Sequence, residues 1–315
     1  MRDWRCVVTG ATSGIGREIA HGLAAAGAAL ALVCRDRGRG EAVAAELAGS
    51  WPDPEIRLFV ADLAVLDDVR SVAREIRRHW DRVDVLVNNA GTHDVHPSVS
   101  PDGFDRMIAT NHLGPFLLTH LLLDPLREGA PSRVVTVASE AHRSVLRLDP
   151  YSFADPRPYG PLGSWHVYAR SKLLNVLTTQ EAARRWARYG VTAHALCPGL
   201  VSTGLVRNIP LVPGLLALAE HTPLVRSPAQ GARPALRLAG DPEFARRGGG
   251  FHSWMPVARL LPPAPLRLRP ALRRAVWERS AELVGLRDTD ASPAHRRPGR
   301  PPDRGPDRTE VTAHE

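Results

Sequence analysis

"TGATSGIG", Thr9 to Gly16, follows directly on the apolar run "RCVV" and opens a long helical pattern. A strand that turns through three glycines into a helix is the first half of a βαβ unit. Each glycine has a mechanical use in such a turn. Gly10 permits the tight turn, Gly14 lets the backbone come close to a bound group, and Gly16 lets helix and strand pack together. Outward from this turn, short β-branched or apolar runs alternate with longer helical patterns, the order that builds a parallel sheet covered on both faces. The spacing predicts strands at Arg5–Thr9, Ala28–Cys34, Ile56–Ala61, Val83–Val87, Arg133–Ala138 and Val191–Cys197. It predicts helices at Ile15–Ala26, Gly40–Ala48, Leu66–Trp80, Pro101–Leu126 and Trp165–Arg188. The fold expected is α/β, a doubly wound parallel sheet of the Rossmann type, with ligands at the carboxyl ends of its strands.

Beyond Pro198 the pattern loosens. Residues 203–225 are apolar but interrupted by Pro210, Pro213 and Pro223, which suits a lid of short helices over a substrate better than a core helix. Ser227–Ala239 reads as one more helix, with Ser227 as its cap and Pro228 in its first turn. "GGFHSW" at 249–254 reads as a final strand. Residues 1–286 then form one domain, and the Pro-, Arg- and Asp-rich stretch 287–315 reads as a disordered tail.

Composition sets further bounds. The formal charge is +8, yet the arginines are scattered among acids and no nucleic-acid module is present, so a nucleic-acid partner is not expected. Cys6, Cys34 and Cys197 lie in or at the end of strand-like runs without metal or redox spacing, as reduced core cysteines of a cytoplasmic protein would. "MRDWRCVVTG" is too short and too quickly broken by glycine for a signal peptide, and no window is long and apolar enough to span a bilayer. Residues 256–280 are basic and apolar together. A peripheral membrane helix is one reading, but its prolines favour a segment that covers the pocket.

The helix after the glycine turn presents the free N–H groups of Ser13, Gly14, Ile15 and Gly16, a site suited to a dinucleotide pyrophosphate. Further along, "YARSK" places Tyr168 and Lys172 four residues apart on one helix face, and Lys172 is the sole lysine among 41 basic side chains. A tyrosine needs a nearby cation to work as an acid or base at neutral pH, and a compact ammonium supplies one. The glycine pattern, "DL" at Asp62 and Leu63, "NNAG" at Asn88 to Gly91, the Tyr–Lys pair and "PG" at Pro198 and Gly199 occur in one order. Together they resemble the short-chain dehydrogenase/reductase family over residues 4 to about 286. "CRDRGRGEA", "NHLGPFLLTHLLL", "SEAHR", "YARSKLLNVL" and "AELVGL" resemble its retinol dehydrogenase and WW-domain oxidoreductase branch, as do the 28 residues between Ser139 and Tyr168.

That resemblance implies an oxidoreductase that interconverts an alcohol and an aldehyde or ketone of a lipophilic small molecule. It implies a tetrad of Asn111, Ser139, Tyr168 and Lys172. Tyr168 would move the substrate proton, Lys172 would lower its pKa, Ser139 would polarise the carbonyl, and Asn111 would hold a water leading from the lysine to solvent. It further implies that Asp62 and Leu63 meet the adenine, that Asn89, Ala90 and Gly91 line the cofactor, and that Pro198, Gly199, Val201 and Thr203 meet the nicotinamide. The second strand ends in Cys34 and Arg35 where an NAD-selective acid would stand, so NADP is favoured over NAD; a one-residue slip would give Asp36 the NAD role. The branch departs here at Thr136, Ala138, Thr92 and His93. A homo-oligomer is compatible with the family, and a catalytically idle dinucleotide-binding protein on the same fold is the alternative function.

Overall fold

A computed structural model describes residues 1–201, 225–255 and 257–286. β1 (Arg5–Thr9), β2 (Ala29–Cys34), β3 (Ile56–Val60), β4 (Val85–Asn88), β5 (Ser132–Val137), β6 (Val191–Cys197) and β9 (Phe251–Ser253) form one parallel sheet in the order β3-β2-β1-β4-β5-β6-β9. Chain order reverses between β1 and β4, and the crevice above their carboxyl ends is the ligand position of such sheets. β9, from "GGFHSW", pairs in parallel with β6 through Ala195 and Phe251, Leu196 and His252, and Cys197 and Ser253.

Alternation along the strands divides the interior into two layers. In β1, Val7 joins a core with Ala31, Phe59, Ile76, Leu117 and Leu173, while Cys6 and Val8 join Ile19, Leu23, Leu30, Val87 and Leu238 on the other face. The second face is covered by α1 (Gly14–Ala25), α2 (Arg37–Ser50) and α8 (Pro228–Gly240), the first by α3 (Leu66–His79), α5 (Gly114–Leu121), α7 (Pro161–Trp186) and α9 (Pro270–Leu283). All three cysteines are buried and free. Ser227 caps α8 in a reciprocal capping box with Gln230, as its sequence suggests.

Two helices differ from the sequence reading. The helix expected over 101–126 is broken into α4 (Arg106–Ile108), a π turn over Ala109–Leu113, α5, and α6 (Leu123–Glu128). Pro115 explains part of the break: it has no N–H to give the Asn111 carbonyl four residues earlier. α7 begins at Pro161 rather than Trp165, so Ser164 and Trp165 lie in its first turns. The segment expected over 256–280 is two 3₁₀ turns followed by α9, whose Trp277 packs edge-on against Phe116 and Trp186 at 5.1 and 5.5 Å. No described helix is long and apolar enough to cross a membrane. The lid over 203–225, except Val225, and the tail over 287–315 lie outside the described residues.

Candidate active site

The glycine turn is stitched to the turn after β4. Asn89 donates through Nδ2 to the carbonyls of Thr9 and Gly10 at 3.0 and 3.2 Å, and the amides of Asn89 and Ala90 both donate to Thr9 Oγ1 at 3.0 Å. Gly10 adopts φ +68°, and a Cβ there would stand 2.8 Å from Ala90 Cα. A Cβ on Gly16 would come within 2.2 Å of the Gly10 carbonyl, which is the close helix–strand packing that glycine allows. Ser13, Gly14, Ile15 and Gly16 therefore open α1 under a cradle that side chains would fill.

At the other end of the crevice, Arg35 is exposed directly after β2. Asp36, its rival in the sequence reading, caps α2: its Oδ1 accepts the Arg39 amide at 3.0 Å and its Oδ2 lies 3.5 Å from Arg39 Nε. Asp62 accepts from the Ala64 amide at 2.9 Å and from Arg106 Nη2 at 2.7 Å. Asp62 is thus joined by Arg106, a residue the sequence did not single out, since an arginine at a helix start carries no local signal. Leu63 is buried, and a Cβ on Gly114 would meet its carbonyl at 2.1 Å.

Of the four residues expected as the tetrad, Lys172 and Asn111 meet beside Gly91, and Tyr168 pairs with Lys172 and with Ser139. α7 presents Tyr168 and Lys172 one turn apart, both buried, with Lys172 Nζ 5.5 Å from the Tyr168 ring centre and donating to the Val137 carbonyl at 3.0 Å. Burial pushes the Lys172 ammonium down to about 8, against the pull of the Cys197 thiol beside it. Burial pushes the Tyr168 phenol up, opposed by a hydrogen bond with Ser139. Ser139, just beyond β5, caps a 3₁₀ turn by accepting the Ala141 amide at 3.1 Å. A Cβ on Gly91 would lie 3.4 Å from Lys172 Nζ and 3.5 Å from Asn111 Oδ1, so that glycine leaves room between them.

Asn111 sits in the π turn. Its Oδ1 accepts the Thr92 amide at 2.7 Å, and its Nδ2 donates to the Thr92 carbonyl at 2.9 Å and to Ser171 Oγ at 3.1 Å. Its main-chain carbonyl, freed by Pro115, accepts from Asn175 Nδ2 at 2.9 Å. The water-holding role expected of Asn111 therefore meets a carboxamide and a carbonyl that already have protein partners. Beyond β6, Gly199 turns with φ +95° against the Arg226 side chain. Pro198 precedes it, and Val201 in β7 (Leu200–Val201) pairs with Arg226 of β8 (Val225–Arg226). Thr203 lies outside the described residues.

A family model described as short chain dehydrogenase matches residues 5–153. Human retinol dehydrogenase 14 is 36% identical over 295 residues, covering 89% of this chain and 86% of its own. The chain belongs to the short-chain dehydrogenase/reductase family. Among solved structures, an uncharacterised protein of Mycobacterium paratuberculosis matches with TM-score 0.70 and 30% identity over 90% of this chain and 94% of that one. A protein of Beutenbergia cavernae assigned as an NAD(P)-dependent gluconate 5-dehydrogenase, with NADP bound, matches with TM-score 0.63 and 31% identity over 80% of this chain and 95% of that one.

Within the short-chain dehydrogenase/reductase family the chain is of the retinol dehydrogenase branch. It is an NAD(P)-dependent oxidoreductase of alcohols and carbonyls, with a nicotinamide dinucleotide as cofactor and a small molecule as substrate. Three side chains around this dehydrogenase site went unassigned in the sequence. Asn175 is one, three residues beyond Lys172 on the same helix; His112, which bonds Asn175 Oδ1 at 3.1 Å, is the second. The third is His93, whose ring stacks on Tyr168. Their contacts join residues 63 or more apart in sequence, beyond the reach of periodicity.

Proposed function

We propose that this protein is an NADP-dependent enzyme that interconverts an alcohol and an aldehyde or ketone of a lipophilic small molecule, with Tyr168, Lys172, Ser139 and Asn111 as its working set. The single observation that carries the reading is the burial of the sole lysine beside the buried Tyr168. A charged ammonium in a dry site is unfavourable unless something there needs it. The bound dinucleotide supplies the hydride. Tyr168 gives its proton to the substrate oxygen in reduction and takes it back in oxidation. The Lys172 ammonium lowers the energy of the phenolate left behind, and Ser139 Oγ hydrogen-bonds the same substrate oxygen, orienting it toward Tyr168.

NADP is favoured by the division of labour after β2. Asp36 is held as a helix cap with Arg39 alongside, which leaves the ribose end to the exposed Arg35 and its fork of donors. The 1–286 region carries this activity, and the three free cysteines suit a reducing cytoplasm. The test follows absorbance at 340 nm with NADPH and with NADH against aliphatic, aromatic and terpenoid aldehydes and ketones. Turnover that needs Tyr168 and prefers NADPH is expected; activity undiminished in Tyr168→Phe would overturn the mechanism, and faster turnover with NADH would overturn the role of Arg35.

A further inference from the structure

We propose that His93 is a positioning residue for Tyr168, holding the phenol ring of the proton donor parallel to its own imidazole while Ser164 fixes the imidazole in turn. The inference rests on the reading of Tyr168 as the group that moves the substrate proton. The two rings are stacked, with centres 5.1 Å apart and planes 30° from parallel. His93 Nε2 lies 3.1 Å from Ser164 Oγ, and both residues are buried. Trp165, the next residue along α7, closes the group, edge-on to His93 at 6.3 Å and tilted against Tyr168 at 5.9 Å.

The hydrogen-bond directions can be read. Ser164 has one hydroxyl proton, and it donates to the Pro161 carbonyl at 2.7 Å. Its oxygen therefore accepts, and His93 carries its proton on Nε2. Nδ1 is then unprotonated in the neutral ring. The loop that carries His93 is pinned immediately before it as well, since Thr92 exchanges two main-chain hydrogen bonds with the Asn111 side chain. A segment two residues long is thus tied to the π turn at Thr92 and to the first turn of α7 at His93. Tyr168 rests on the second of these anchors, so its ring has little freedom to rotate away from Ser139.

The arrangement depends on a neutral imidazole. Burial holds His93 below the usual histidine range, with only Asp94 pulling the other way. The titratable groups facing it are Asp94 on its own loop and Tyr168 on α7, with Lys172 Nζ 5.5 Å from the centre of that tyrosine's ring. A proton on Nδ1 adds a second cation to a dry site that already holds the Lys172 ammonium, which favours expulsion of the imidazole from the stack.

Steady-state kinetics of the full chain with NADPH and its best carbonyl substrate test this, across pH 5 to 9, for wild type, His93→Phe, His93→Ala and Tyr168→Phe. Thermal melts confirm that each variant is folded. His93→Phe keeps the stack without the titration, and it should hold kcat within about fivefold while losing the acid-side fall in kcat that wild type shows. His93→Ala frees the phenol and should lower kcat by about tenfold or more with the KM for NADPH unchanged, a split that loosened folding does not produce. Wild-type kcat in His93→Ala beside an inactive Tyr168→Phe overturns the proposal and leaves the tyrosine's role intact. An acid-side fall that persists in His93→Phe also overturns it. Activity that survives Tyr168→Phe instead overturns the reading on which the proposal rests.

Discussion

Lys172 stands where its own solvation argues against it. The chain uses arginine for the other forty basic positions, forty-one in all less this one, and this lysine is 3% exposed. Its shift from 10.5 to about 8 corresponds to about 3 kcal/mol of strain on the charged form at neutral pH. Folded and unfolded chains then bind protons differently between pH 8 and 10.5, the unfolded chain holding more, so stability rises with pH through that window. Lys172→Met removes the strained charge and loses one hydrogen bond, to the Val137 carbonyl, worth about 1 kcal/mol. Urea unfolding at pH 7 should show the variant about 2 kcal/mol more stable than wild type, while reductase activity is lost. Lys172→Arg should fold yet fall in kcat by about a hundredfold or more, because the planar fork does not fit the space between Gly91 and Tyr168. On the proposed role of Arg35 at the 2′-phosphate, a charge-assisted contact of about 1.5 to 3 kcal/mol, Arg35→Ser should raise the Kd for NADPH about tenfold or more while that for NADH holds. Fluorescence titration of the two reduced dinucleotides checks it.

At the scale of elements, the π turn connects a sequence feature to the site. Pro115 removes the donor that would occupy the Asn111 carbonyl in an α-helix, and Asn175 takes that place from α7. Asn175 Oδ1 is then the acceptor for His112, so His112 Nδ1 carries its proton, and Nε2 lies 2.8 Å from Ser280 Oγ on α9. Asn175→Leu strands the Asn111 carbonyl and the His112 N–H in the interior. At about 1 to 3 kcal/mol for each orphaned group, it should lower unfolding free energy by about 3 kcal/mol in urea titration. What the sequence disclosed and what it hid follow the same division. β1 and β6 match the sequence reading residue for residue, because apolar runs bounded by glycine and proline define themselves locally. The long helix over 101–126 was misjudged because its apolar content masks a proline whose effect is to free a carbonyl four residues back. That Tyr168 and Lys172 are neighbours was legible through their spacing on α7, and that Ser139 stands at a strand end was legible through the apolar run before it. Arg106, His93 and Asn175 were not, since each acts through a partner supplied by a distant segment.

Across the whole molecule, α9 is fastened to α7 and the π turn by buried polar groups whose protonation sets how the fold tolerates acid. Glu181 on α7 is fully buried and accepts from Arg184, Arg185 and, across the gap, Arg273 of α9 at 2.9 Å. Burial works against its carboxylate, but the three guanidiniums prevail and hold it down to about 2. His112, buried between Asn175 and Ser280, is pushed down to about 4 by burial, and His252 is likewise at about 4 through burial and the nearby His194 and Arg237. The signs agree. A histidine whose folded pKa is depressed takes its proton in the unfolded chain first, so stability is complete above pH 6.5 and is lost as pH falls toward 4. A carboxyl whose folded pKa is depressed contributes above 4.5 and loses that contribution as pH falls toward 2. Acid should therefore weaken the fold in two stages, the histidines first and the Glu181 staple second. His112→Gln keeps an amide of similar reach without a proton to bind. Urea midpoints from pH 7 to pH 4 should fall less steeply in that variant, by up to about 3 kcal/mol over the window, the worth of a shift from 6.5 to about 4. Below pH 4 the variant and wild type should run parallel, because the Glu181 staple is common to both; equal slopes above pH 4 would show that His112 does not carry the first stage.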